Sequence, residues 1–200
     1  MGDGPNQRTI TKNFQLVKKR ISFLFLLALA GIIVYWWHNN WLEQSQDKAI
    51  SLASHRYHVP FSLVKAVVWK ESHFHPEIKG KAGERGLMQI MPGAASEWVQ
   101  AGKITNFQDD MLFDSQTNLY AGTWYLQKLL QRYSRTDNPA AYALADYNAG
   151  RSNVLKWNKG AGSTNSQIFI EQIGFPGTRR YVTSILDRVP RYSEPPEASN

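Results

Sequence analysis

Two hydrophobic patterns divide this chain. From Ile21 to Trp37 apolar residues follow one another without a charge, ISFLFLLALAGIIVYWW, directly after Lys18-Lys19-Arg20 and before His38-Asn39-Asn40-Trp41. As a helix the run spans roughly 25 Å, a little under the roughly 30 Å core of a bilayer, and the following WHNNWL can extend it into the interface. It predicts one membrane span. Basic residues ahead of it, with Tyr35, Trp36, Trp37 and Trp41 behind it, place the N-terminus in the cytoplasm and everything after residue 42 outside. Ala28-Leu29-Ala30 also fits a signal-peptidase pattern, so secretion after cleavage following Ala30 is the alternative, although the apolar run continues well past that point.

From residue 43 the apolar positions recur with a helical period, broken by short Gly, Pro, Asn and Ser clusters, and no segment alternates convincingly as a strand. The fold class is all-α. Helices are predicted over 43–57, 61–72, 92–100, 115–133, 139–148, 152–158 and 178–190, with Asp114 or Ser115 capping the fourth and Thr178 ahead of the last; 160–166 is a loop. The domain organisation expected is a basic cytoplasmic tail over 1–20, a transmembrane signal anchor over 21–42, a helical exported domain over 43–193 and a disordered tail over 194–200.

Composition changes this picture little. The chain has 200 residues and no cysteine, which removes disulfides, thiolate metal sites and cysteine nucleophiles. Its net charge of +7 suggests nucleic acid only until it is divided, because five basic side chains against Asp3 in the first twenty residues hold more than half of the excess. No nucleic-acid partner is expected. His73 and His75 lack the further ligands that would complete a metal site, and Gly80, Gly83 and Gly86 lack a Walker lysine, so neither a metal nor another cofactor is expected.

Candidate chemistry begins in PFSLVKAVVWKESHF. Val64, Val67, Val68 and Glu71 stand at i, i+3, i+4 and i+7, so a carboxylate falls on the core-facing stripe. Burial there favours the protonated form, as a general acid requires; the bland reading is a glutamate that bends to solvent or pairs with Lys70. Further on, Gly86-Leu87-Met88-Gln89-Ile90-Met91-Pro92 is too apolar for an exposed loop and carries an amide that needs partners. Tyr147-Asn148-Ala149-Gly150 ends a helix with a phenol and an amide beside a glycine stop.

Glu71-Ser72, GLMQIMP with Gln89 and YNAG, in this order and spacing, resemble the catalytic domain of the soluble-lytic-transglycosylase (SLT) family over about residues 45–190. The helix carrying Asn118, Gly122 and Trp124-Tyr125-Leu126 resembles the family's central helix, and FPGTRRYV resembles the segment that supplies a late tyrosine, here Tyr181. The resemblance implies a lysozyme-like fold and cleavage of the β-1,4 bond between N-acetylmuramic acid and N-acetylglucosamine in peptidoglycan, with a 1,6-anhydromuramoyl end as product and Glu71 as acid and then base. It implies that Gln89, Met91, Tyr147 and Asn148 line the sugar cleft, that Tyr181 orients the glutamate, and that Ser72, Gly86 and Met88 support the local structure. The implied partners are peptidoglycan glycan strands and, through residues 21–37, the bacterial cytoplasmic (inner) membrane, with the domain on the periplasmic face. An envelope-spanning complex is compatible with such an anchor, and the sequence names none. The chain departs from the family at Gly80, often a serine there, at Glu84 and Arg85, often small, and at Gly177, often a glutamate. Glu84 brings a second carboxylate near GLMQ, the feature that a hydrolytic muramidase on the same scaffold would use.

Overall fold

The computed structural model describes residues 7–193. Residues 1–6 of the expected basic tail and the whole expected tail 194–200 lie outside the described residues. The chain divides between Leu42 and Glu43 into two units.

In the first unit, helix α1 (Gln7–Gln44) carries the uncharged run without interruption. Its large side chains are exposed, Phe25 at 68% and Trp36 at 72%, and the helix is long and apolar enough to cross a membrane.

The second unit is built from α2 (Asp47–Tyr57), α3 (Phe61–Ser72), α4 (Pro92–Gly102), α5 (Ser115–Arg132), α6 (Pro139–Ala149), α7 (Arg151–Trp157), α8 (Ser166–Gln172) and α9 (Pro176–Arg188). Short 3-10 turns occupy Asp109–Phe113, Gly160–Ser163 and Val189–Arg191. Helix α6 is buried continuously from Ala141 to Asp146 and packs against α5 and α9, while α3 packs against α2 and α9. The valine stripe of α3 lies in this core, with Val64, Val67 and Val68 at 0% exposure.

The predicted helix 43–57 is broken at residues 45 and 46, where α1 ends and α2 begins. Asp47 accounts for the new start: it places a negative charge in the first turn of α2 and pairs with the buried Lys65 of α3 at 2.6 Å. Asp114 caps α5 as expected, its carboxylate accepting from the Thr117 N–H at 2.8 Å. At the last helix, Pro176 takes the first helical position and Phe175 the cap, so Thr178 lies inside the first turn. The predicted loop 160–166 contains the 3-10 turn, and its last residue opens α8, which the sequence pattern did not reveal. Asn165 starts that helix by accepting from the Ile168 N–H at 3.0 Å. Between α3 and α4 the described chain forms no extended strand, only two isolated antiparallel bridges, Lys79 with Arg85 and Arg85 with Ile90.

Candidate active site

Glu71 occupies the last turn of α3, one residue before its end at Ser72. The chain leaves the helix through two consecutive left-handed residues, His73 at φ 50° and Phe74 at φ 66°, and Phe74 turns back into the core at 3% exposure. The helix is thus stopped sharply beside the carboxylate. Burial, opposed by the Tyr181 hydroxyl and Lys70 and assisted by the negative charge of Glu84, pushes the Glu71 carboxyl up to about 7. Tyr181 of α9, 4% exposed, donates to Glu71 Oε1 at 2.5 Å. The same burial and the neighbouring carboxylate drive the Tyr181 phenol well above its usual range, so it stays a donor.

The segment facing this acid is the turn from Ile78 to Met91, and α5 holds it in place. Asn118 is fully buried and uses both ends of its amide: Nδ2 donates to Arg85 O at 2.8 Å and Leu112 O at 2.7 Å, and Oδ1 accepts from the Met88 N–H at 2.8 Å. Gly86 adopts φ 73°, and a Cβ there would stand 2.3 Å from Asn118 Nδ2 and from Leu112 O. One turn further along α5, a Cβ on Gly122 would stand 2.4 Å from Met88 Sδ. The turn is therefore seated by one amide and one glycine at i and i+4 of the same helix face. The sequence contained that pair as part of a family helix, without the role; an amide and a glycine one turn apart on a core face is the signal that could have given it.

Gln89 sits at the apex with φ 47°, an uncommon conformation for a residue with a side chain. Its own amide offsets the strain, Nε2 donating to Gly86 O at 2.9 Å and Ile78 O at 3.0 Å. Those hydrogens hold the turn, so the part of Gln89 left for a substrate is its carbonyl oxygen. Tyr147 of α6 closes the opposite side by donating to Met88 O at 2.7 Å, and it packs edge-on against Tyr125 of α5 with ring centroids 5.7 Å apart. Asn148 is exposed, with Oδ1 accepting from Thr178 Oγ1 at 2.8 Å, and Met91 is exposed at 46%. Ser72 is buried, and its hydroxyl donates to Val68 O at 3.1 Å within the helix and does not reach the following loop. The structure thus links Glu71, Tyr181, Tyr147 and Met88, with Gln89 next to Met88 in the same turn and Asn148 and Met91 exposed.

The departures at positions 80 and 84 belong together. A Cβ on Gly80 would stand 2.1 Å from Glu84 Cδ, so the glutamate side chain lies over the bare glycine. Its carboxylate is held there by the Ala82 N–H, which donates to Oε2 at 2.9 Å. Gly80 gives Glu84 room beside the acid. Among the described residues no three His, Cys, Asp or Glu side chains converge to hold a metal ion. Chemically, the arrangement offers a half-buried acid with a phenol donor, a neighbouring second carboxylate and an exposed rim.

Residues 48–170 match the transglycosylase SLT domain. The chain belongs to this family. It is 37% identical over 130 residues to the soluble lytic murein transglycosylase of Escherichia coli, covering 64% of this chain and 20% of that protein. It is 34% identical over 126 residues to the membrane-bound lytic murein transglycosylase C of Pectobacterium atrosepticum, covering 58% and 35%. Among solved structures, the 70 kDa soluble lytic transglycosylase of E. coli superposes with a TM-score of 0.64 at 31% identity, over 72% of this chain and 23% of that one. An inactive mutant of lytic transglycosylase Slt from Pseudomonas aeruginosa superposes with a TM-score of 0.67 at 26% identity, over 73% and 23%. The chain thus spans about a fifth of the length of these soluble relatives and carries the all-α, lysozyme-like fold of their SLT domain.

Proposed function

We propose that this SLT-family chain is a peptidoglycan lytic transglycosylase that cleaves the β-1,4 bond between N-acetylmuramic acid and N-acetylglucosamine, with Glu71 as its acid and base. The observation that carries the reading is the state of Glu71: a half-buried carboxyl bonded to Tyr181, beside Tyr147, and pushed to about 7, where both protonation states are accessible. Glu71 gives its proton to the glycosidic oxygen as the C1–O bond breaks, and the N-acetylglucosamine leaves as an alcohol. The carboxylate then takes the proton of the muramoyl C6 hydroxyl, whose oxygen bonds to C1. The product is the 1,6-anhydro end, Glu71 regains its starting proton, and no water is consumed. Because that nucleophile is carried on the substrate, its effective concentration is high and a second catalytic carboxylate is not required. Gln89 through its carbonyl oxygen, Asn148 and Met91 are positioned to contact the sugars, and Tyr181 holds the glutamate's orientation.

The same proposal places the domain at the bacterial inner membrane. Helix α1, uncovered and apolar from residue 21 to 37, spans it with the N-terminus inside, and residues 43–193 act on the periplasmic face; the membrane-bound name of one relative is consistent with this.

The test is digestion of purified peptidoglycan with the full chain in detergent, followed by mass spectrometry of the products. Anhydromuramoyl ends without new reducing ends are expected. Stoichiometric new reducing ends would make the chain a muramidase and transfer the water-activating role to Glu84, and no cleavage at all would remove the enzymatic reading.

A further inference from the structure

Beyond the acid and its rim, α5 carries a second polar feature on the face that meets the site. Tyr125, which packs on Tyr147, is followed at i+3 by Lys128 and at i+7 by Arg132, one stripe of helix surface extending roughly 10 Å from the tyrosine at 1.5 Å per residue. Arg132 Nη1 meets Asp146 Oδ2 at 2.6 Å, and the buried Asp146 immediately precedes Tyr147. The stripe ends in a hollow of about 510 Å³ between the end of α5, the turn after it and α7. Three arginines line it, Arg132, Arg135 and Arg151, and no aspartate or glutamate does.

The three guanidiniums differ in what they have left to offer. Arg132 is committed to Asp146, which also accepts from Tyr133 Oη at 2.8 Å, so this buried carboxylate is satisfied and cannot neutralise the hollow further. Among the described residues neither Arg135 nor Arg151 pairs with a carboxylate. Asn158 lines the same hollow and its buried Oδ1 has no hydrogen-bond partner there. Two unpaired planar cations beside an unpaired amide acceptor suit a ligand that presents a carboxylate together with an N–H, the combination a peptide with acidic residues provides.

We propose that this hollow binds the acidic peptide stem carried by the muramoyl residue in the site, with Arg135 and Arg151 taking a stem carboxylate and Asn158 accepting a stem N–H. The proposal rests on the transglycosylase reading and adds to it the part of the substrate that is recognised away from the scissile bond. Its scale is right: an extended peptide advances at most about 3.6 Å per residue, so three stem residues span the roughly 10 Å from Tyr125 to the hollow.

The experiment uses the full chain in detergent, the Arg135→Gln/Arg151→Gln double variant and the corresponding double lysine variant. Two substrates are compared, glycan strands bearing their peptide stems and the same strands stripped of stems by an amidase. On stem-bearing strands kcat/KM of the glutamine variant is expected to fall about tenfold further than on stripped strands, mostly through KM, with the lysine variant intermediate because it keeps charge and loses the planar fork. Equal losses on both strands, or none on either, would overturn the proposal. If the parent chain cleaves neither substrate, the transglycosylase reading itself fails, which is a distinct result from cleavage of both without discrimination.

Discussion

The Tyr181 hydroxyl donates to Glu71 Oε1 at 2.5 Å, joining the end of α3 to α9 across 110 residues of chain. Burial alone would leave the glutamate a weak acid of fixed state; the phenol stabilises its carboxylate and holds one of its oxygens in place. Tyr181→Phe removes only that donor. The Glu71 carboxyl then moves further up, so the alkaline limb of the pH profile is expected to shift to higher pH while the maximal rate falls about tenfold, the consequence of losing one charge-assisted hydrogen bond. Rates of wall solubilisation measured across pH check both; an unchanged limb would assign Tyr181 to packing alone.

The same burial makes stability depend on pH. Below the ordinary value of 4.5 the carboxyl is protonated in both folded and unfolded chains, and between 4.5 and about 7 only the unfolded chain ionises, so the fold loses stability as pH rises through this window. Above about 7 the loss is complete and on the order of 3 kcal/mol. Glu71→Gln escapes it, because an amide can still accept from Tyr181 and carries no charge. The variant is therefore expected to be inactive and yet more stable than the parent at pH 8, with the difference vanishing near pH 4. Urea unfolding followed by near-UV circular dichroism at several pH values measures it, and a variant less stable at pH 8 would contradict the burial argument.

The glutamate's place on the core stripe was legible because helical period is a local property, and Val64, Val67 and Val68 fixed the face on which Glu71 would lie. The contact with Tyr181 was not legible from period or spacing and entered only through family resemblance, since no local rule links residues on α3 and α9. Helix α8 was missed because SQIFIEQ is seven residues long, too short for two helical periods, and follows a glycine and serine cluster that reads as loop. Gln89 was singled out within its apolar segment, but its left-handed backbone, which turns the amide onto Gly86 and Ile78, depends on the whole turn being seated on Asn118 and Gly122.

That seating can be tested with two glycines of the same turn. Gly86→Ala meets a positive φ and, at 2.3 Å, the backbone oxygen of Leu112, which has no rotamer with which to retreat. A loss of about 3 kcal/mol or more is expected, with activity falling as the turn shifts. Gly83→Ala also has a positive φ, 97°, but nothing within 4 Å, so it should cost only about 1 kcal/mol. Thermal unfolding of the two variants side by side gives the comparison, and equal losses would show that backbone conformation, not the close approach to α5, controls the turn.

Glu84 can be moved without being mutated. A methyl group on Gly80 overlaps the far end of the Glu84 side chain, which is flexible, so Gly80→Ala should displace the carboxylate from its Ala82 N–H at a cost within about 1 kcal/mol of global stability. Glu84 raises the Glu71 carboxyl through its charge, whereas Tyr181 of α9 and Lys70 of α3 oppose it and Tyr147 of α6 stays a neutral phenol. Displacing Glu84 therefore lowers the acid, and the alkaline limb of the pH profile is expected to move to lower pH, opposite in sign to Tyr181→Phe. Glu84→Gln should move it the same way, and Gly80→Ala added to Glu84→Gln should move it no further, because both substitutions act through one charge. A shift of undiminished size in the Glu84→Gln background would mean that Gly80 acts on the site by a route other than the glutamate lying over it.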